Sequence, residues 1–235
     1  MDNKIIVKLE NLNYDVMDGN IKRKILKDIN YSFIENSITT ISGPSGSGKT
    51  TLLYAIAGLI GGIDGNVLID GFQINKASEE KRDLFRLNNI SMIFQNLNLF
   101  SFMNVEDNIL VPYYIKNNKV DTGVYEKISE YLELMNLGQI QKKAIQSLSG
   151  GEQQRVAIIR AIIAEPKVIL CDEPTASLDR ENIDIFINTL LKIKEKTKAT
   201  VIIVTHDERV FKCGENKVYM SDGYLESQVN DYSIQ

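Results

Sequence analysis

Cysteine and histidine are scarce in this chain, and the scarcity excludes whole classes of chemistry. Its 235 residues hold two cysteines, Cys171 and Cys213, and one histidine, His206. Two cysteines make neither a disulfide framework nor a thiolate metal cluster, and one histidine cannot build a histidine-based zinc site. Long apolar runs are missing as well: none approaches the ~20 residues that a helix needs to span a bilayer. Met1-Asp2-Asn3-Lys4 leads straight into a strand-like segment with no apolar h-region, which predicts no secretory leader. Positive charge is not in excess either. The formal net charge is −4, which gives nucleic acid no general attraction. The short basic run Lys22-Arg23-Lys24 reads as a solvated loop face. Together these gaps predict a reduced, soluble, cytosolic protein.

What is present is a dense apolar framework. Hydrophobic residues make up 43% of the chain and charged residues 25%, enough for one large domain or a domain carrying a sizeable insertion. Short β-branched runs predict strands over residues 5–9, 25–34, 38–42, 66–71, 90–94, 167–171 and 200–205. Several of these are apolar throughout, as strands covered on both faces tend to be. Helical spacing appears in Val124, Ile128, Tyr131, Leu132 and Met135, again over residues 151–164, and in Ile183, Phe186, Ile187, Leu190 and Ile193. Strand signals fade over about residues 96–150, which predicts a mainly helical insertion within a single domain covering 1–235. Residues 217–225 read as a hairpin around Asp222-Gly223. Strand–helix alternation with apolar strands argues for an α/β fold, a mainly parallel sheet flanked by helices.

Gly43-Pro44-Ser45-Gly46-Ser47-Gly48-Lys49-Thr50 fits the P-loop pattern G-x-x-x-x-G-K-[ST]. The glycines let backbone N–H groups converge on a polyanion, Lys49 reaches the β- and γ-phosphates, and the Thr50 hydroxyl can ligate Mg²⁺. A strand-like segment precedes the motif, and an apolar, helix-like one that starts at Thr51 follows it. A phosphate would therefore meet free N–H groups at a helix N-terminus.

A second motif, Leu148-Ser149-Gly150-Gly151-Glu152-Gln153-Gln154-Arg155, opens another helix. With it the chain resembles the ABC ATPase family over nearly its whole length, from Lys8 to about Leu225. Other family motifs follow in order. The run Val168-Ile169-Leu170-Cys171-Asp172-Glu173 matches Walker B, and Pro174-Thr175-Ala176-Ser177-Leu178-Asp179 matches the D-loop. Gln95 matches the Q-loop, and Thr205-His206-Asp207 the switch histidine.

The resemblance implies a P-loop NTPase core with an N-terminal antiparallel β subdomain and an inserted α-helical subdomain. It also implies binding of ATP and Mg²⁺. The ATP-binding set would be Tyr14, Gly43, Ser45, Gly46, Ser47, Gly48, Lys49, Thr50, Thr51 and Gln95, with Tyr14 stacking on adenine. Tyr31 and Phe33 compete for that last role. Thr50, Gln95 and Asp172 would hold Mg²⁺. Glu173 would act on the attacking water, His206 on the γ-phosphate, and Lys49 on the phosphate charge. Ser149, Gly151 and Asp179 would act in trans, on the nucleotide of a second subunit.

The implied partners are a second copy or a similar ATPase when ATP is bound, and a membrane permease; nucleic acid is not among them. The chain would thus sit on the inner face of the cell membrane through that permease. The likeness is to the lipoprotein-release and macrolide-export branch, carried by Ile93-Phe94-Gln95, by Val105-Glu106-Asp107-Asn108 within residues 99–108, and by Val111-Pro112. That branch implies export or extraction of a hydrophobic peptide, a lipoprotein or an antibiotic. A mechanotransmission or antibiotic-sensing ATPase that moves nothing across the membrane has the same site and stays open. Ribosome- and DNA-directed relatives carry two cassettes, long coiled coils or zinc modules, none of which is seen. Two departures stand out: residues 58–66 are short by a residue or two, and Glu152 replaces the commoner Gln. The apolar stretch 96–103 would either pack the insertion's core or present a docking face.

Overall fold

A computed structural model describes residues 4–19, 21–117, 120–176 and 178–227. Met1 to Asn3 and Ser177 of the D-loop motif lie outside the described residues. Two sheets organise the rest. The first is antiparallel, with spatial order β2-β1-β4-β5: β1 (Ile5–Asp18), β2 (Ile21–Ile34), β4 (Asp64–Ile69) and β5 (Phe72–Gln73). The second has order β10-β9-β3-β8-β7-β6. In it β3 (Ile38–Ser42), β6 (Ile90–Ile93), β7 (Val168–Asp172), β8 (Thr200–Val204) and β9 (Asn216–Ser221) pair in parallel. Only β10 (Tyr224–Ser227) runs antiparallel, closing the hairpin with β9. Asp222 and Gly223 at its turn have φ of 44° and 82°, the left-handed pair that a two-residue hairpin requires. The α/β architecture expected from the sequence, with its antiparallel N-terminal sheet, is the one observed.

Alternation along β7 and β8, which are buried at every position, explains why they are apolar on both faces. Ile169, Cys171, Val201 and Ile203 enter one buried cluster, while Val168, Leu170, Ile202 and Val204 enter the other. The second cluster joins the antiparallel sheet and helix α1 (Lys49–Ile56) to the central sheet. The first joins that sheet to α3 (Val105–Asn117), α4 (Thr122–Leu134), α5 (Gly150–Ile162) and α6 (Arg180–Thr197). Helix α2 (Glu79–Asn89) touches the assembly through Phe85, stacked on Phe72 with ring centroids 4.2 Å apart. Among the described residues between β6 and β7 there is no strand, only an isolated bridge between Asn104 and Ala144. Helix α7 (Glu208–Cys213) precedes β9.

Several boundaries differ from expectation. β1 and β2 are longer than expected: register shifts at Leu9/Leu12, Leu12/Tyr14 and Tyr14/Asp15 break the alternation of β1 beyond Leu9, and the end of β2, residues 21–24, is solvent-exposed with no inward pattern to read. The run Lys22-Arg23-Lys24 therefore lies within β2, not in a loop. α3 contains Pro112, which masks its helical signal in the sequence.

Candidate active site

Parallel strands deliver their C-terminal ends to one edge of the sheet, where ligands bind in α/β folds. β3 runs into the glycine loop and α1; β6 is followed by Gln95, β7 ends in Asp172 ahead of Glu173, and β8 leads to His206. These ends surround a cavity of about 650 Å³, lined by Arg23, Ile25, Gly43, Ser45, Gly46, Gly48, Lys49, Thr50, Thr51, Gln95, Glu173 and His206.

The loop can adopt its shape only with glycine at two points. A Cβ on Gly43 would collide with the carbonyl oxygen of Met220. One on Gly48, where φ is 104°, would lie 3.0 Å from the Ile25 carbonyl oxygen and 2.9 Å from Met220 Cε. Gly48 caps α1 without a side-chain acceptor, so the N–H groups of the first turn stay free for an anion. Lys49 arches back over the loop, donating to the carbonyls of Gly43 (2.8 Å) and Pro44 (2.9 Å). Burial lowers the pKa of its ammonium, against the opposing pull of Glu173 and Asp172. The buried Ser47 hydroxyl has no hydrogen-bond partner among the described residues, the condition of a loop shaped around a missing acceptor.

Thr50 Oγ1 donates to Asp172 Oδ1 at 2.9 Å. Burial raises the pKa of the Asp172 carboxyl, and the charge of Glu173 adds to this, against the Thr50 hydrogen bond and Lys49. A divalent cation would offset that burial penalty. Hydroxyl, carboxylate and the amide oxygen of Gln95 are hard donors, and Mg²⁺ takes few protein ligands when phosphates supply the rest. The donor set fits Mg²⁺.

Glu173 has a φ of 46°, a left-handed backbone unusual for a residue with a side chain. Its N–H donates to the Val204 carbonyl at 3.0 Å, tying it to the end of β8. Its Oε2 accepts from the His206 N–H at 3.1 Å and lies 2.8 Å from His206 Nδ1. The side chain of Glu173 is only 16% exposed and that of His206 68%, so the imidazole covers the carboxylate from the solvent side.

Ser149, Gly151 and Asp179 do not line this cavity. They meet elsewhere. Gly151 packs so closely on Asn182 that a Cβ would collide with its side chain, and Asn182 donates from both its N–H and its Nδ2 to Asp179 Oδ1 at 2.9 Å. Ser149 caps α5, and its N–H and hydroxyl both donate to Glu152 Oε2 at 2.8 Å. Tyr14 does not line the cavity either; it packs half-buried on the second core cluster. Arg23 and Ile25 do line it. Ile25 opens the strand expected over 25–34, whereas Arg23 belongs to a basic run on the extension of β2 that the sequence does not signal.

The segment 26–176 matches the family model described as ABC transporter. The chain belongs to the ABC transporter family. It is 34% identical over 227 residues to the "Putative ABC transporter ATP-binding protein MG065" of Mycoplasma genitalium, covering 97% of this chain and 48% of that protein. The chain thus spans about half the length of this relative and of its Mycoplasma pneumoniae homologue, 48% in each case. It is 38% identical over 210 residues to the lipoprotein-releasing system ATP-binding protein LolD of Buchnera aphidicola, covering 89% of this chain and 92% of LolD. Among solved structures, the ATP-binding cassette MJ0796, in a dimeric post-hydrolysis state bound to ADP and Pi, superposes with a TM-score of 0.84 at 33% identity, covering 94% of this chain and 98% of that one. The structure of cbiO1 from Clostridium perfringens gives 0.84 at 30% identity, covering 96% and 88%. The fold is that of an ABC ATPase cassette.

Proposed function

We propose that the chain binds and hydrolyses ATP, and that ATP-driven closure of two such subunits moves a separate membrane permease. The carrying observation is the convergence of Lys49, Thr50, Gln95 and the Glu173–His206 pair on one cavity, with Asp172 joined to it through the Thr50 hydroxyl. The P-loop N–H groups and Lys49 neutralise the triphosphate, while Glu173 orients and polarises the attacking water. His206 holds Glu173 in place and reaches the γ-phosphate. Thr50, Gln95 and Asp172 would hold Mg²⁺, which supplies charge neutralisation at the phosphates. Ser149, Gly151 and Asp179 are left to complete the site of a partner subunit, a reading supported by the dimeric state of MJ0796.

Residues 1–235 act as one nucleotide-binding domain, with about 96–150 as its helical insertion. The LolD likeness supports a hydrophobic cargo such as a lipoprotein, and a location on the inner face of the membrane through the permease. No helix among the described residues is long and apolar enough to cross a membrane, so the moving partner is a separate segment. Glu173→Gln tests the assignment. Steady-state phosphate release should fall at least about a hundredfold, and ATP should trap a dimer visible by size-exclusion chromatography. Turnover near that of the unaltered chain overturns the role of Glu173.

A further inference from the structure

Arg23 is a cation that the proposed chemistry does not use. We infer that it is a nucleotide-contacting residue whose guanidinium binds the α- and β-phosphates from the β2 side of the cavity. The inference rests on the proposed nucleotide site and extends it to a strand outside the P-loop.

Its position is fixed by the strand. β2 presses on the loop where the Ile25 carbonyl oxygen stands 3.0 Å from the place of a Gly48 Cβ. Further along, the Lys27 N–H donates to the Gly223 carbonyl at 2.9 Å, clamping β2 against the β9–β10 hairpin. Residues two apart in a strand share a face and are separated by about 7 Å. Arg23 and Ile25 accordingly both line the cavity, and the intervening Lys24 does not.

The neighbouring cation is already engaged: Lys22 Nζ lies 2.9 Å from Asp15 Oδ2. Arg23 makes no ion pair and no side-chain hydrogen bond to the described residues. Among the other lining residues Lys49 is the one cation, and Glu173 is an anion. A polyphosphate therefore enters a site with room for a second positive partner. Glycine-loop N–H groups cradle the α- and β-phosphates, and Gly48 is the part of the loop that β2 touches. The planar guanidinium suits paired phosphate oxygens better than an ammonium does.

Calorimetric titration of ATP and of ADP into the unaltered chain, Arg23→Ala, Arg23→Lys and Lys24→Ala tests this. Arg23→Ala should weaken ATP and ADP alike by roughly fivefold, the upper range for an exposed ion pair, and should flatten the salt dependence of binding. Arg23→Lys should recover part of the loss, and Lys24→Ala should recognise both nucleotides as the unaltered chain does. Unchanged affinities in Arg23→Ala, a loss confined to ATP, or an equal loss in Lys24→Ala overturn the inference. Failure of the unaltered chain to bind either nucleotide defeats the nucleotide-site reading itself, a separate and recognisable result.

Discussion

Single residues in this molecule often answer to two demands. Glu173 is held at a φ of 46°, a conformation that costs about 1–2 kcal/mol in a residue with a Cβ. The cost is offset by the hydrogen bond to β8 and by the His206 contact. Glu152 shows a different balance. Its carboxylate accepts from the Ser149 N–H and hydroxyl, and those bonds hold its pKa below the ordinary value of 4.5. A carboxyl whose folded-state pKa is depressed contributes stability that is fully present above its unfolded pKa and lost as pH falls through the folded one. Glu152→Gln keeps an acceptor for the capping box but removes the titration. The midpoint of thermal unfolding should therefore fall less steeply below about pH 4.5 in Glu152→Gln than in the unaltered chain. Parallel acid limbs in the two proteins would show that the cap contributes nothing to acid sensitivity.

At the scale of elements, the loop after Gln95 is ordered by side chains distant from it in sequence. Fully buried Asn108 of α3 accepts from the Phe100 N–H at 2.7 Å and donates to the carbonyls of Phe100 and Asn104 at 3.0 and 2.9 Å. Arg160 of α5 holds the carbonyls of Leu97 and Asn98 at 2.5 and 2.6 Å. Asn108→Ala would strand these backbone groups, so urea denaturation should show a loss of about 2–3 kcal/mol. Phe100 should lose its protection from amide hydrogen exchange. A loss near zero would mean that solvent takes over the bonds.

The sequence reveals the strands that reach the site because they are apolar on both faces and end in chemically distinctive residues: Gly43, Gln95, Asp172 and His206. It hides elements that lack such a face. α2 has no fully buried residue, and α3 carries Pro112. Residues 21–24 at the outer end of β2 are all exposed, so nothing in their pattern tells which way Arg23 points. Tyr14 is predictable only by likeness, and its packing on the second core is set by strand register, with Leu26 opposite it.

At the scale of the whole molecule, the segment that follows Gln95 presents apolar side chains to solvent. Leu99 turns inward onto the first core, whereas Phe102 is 81% exposed and leans on Phe100, with ring centroids 5.7 Å apart. The two roles open to residues 96–103 are thus divided between neighbours, packing for Leu99 and display for Phe102. Phe102→Asp should leave ATP turnover of the isolated chain unchanged and abolish co-purification with the proposed permease. Retention of the permease at the level of the unaltered chain would place docking elsewhere.

The division of β7 and β8 between two cores has a thermodynamic corollary. Leu170 and Cys171 are bonded neighbours, yet their side chains lie on opposite faces of the sheet and belong to different clusters. Free-energy changes from substitutions on opposite faces should therefore add, whereas Ile38 and Val201, far apart in the chain but cross-strand partners in one cluster, should be coupled. Adjacency in sequence and independence in energy coexist. The helical side can be repacked to suit a different contact surface while the strand ends that carry Asp172, Glu173 and His206 keep their places.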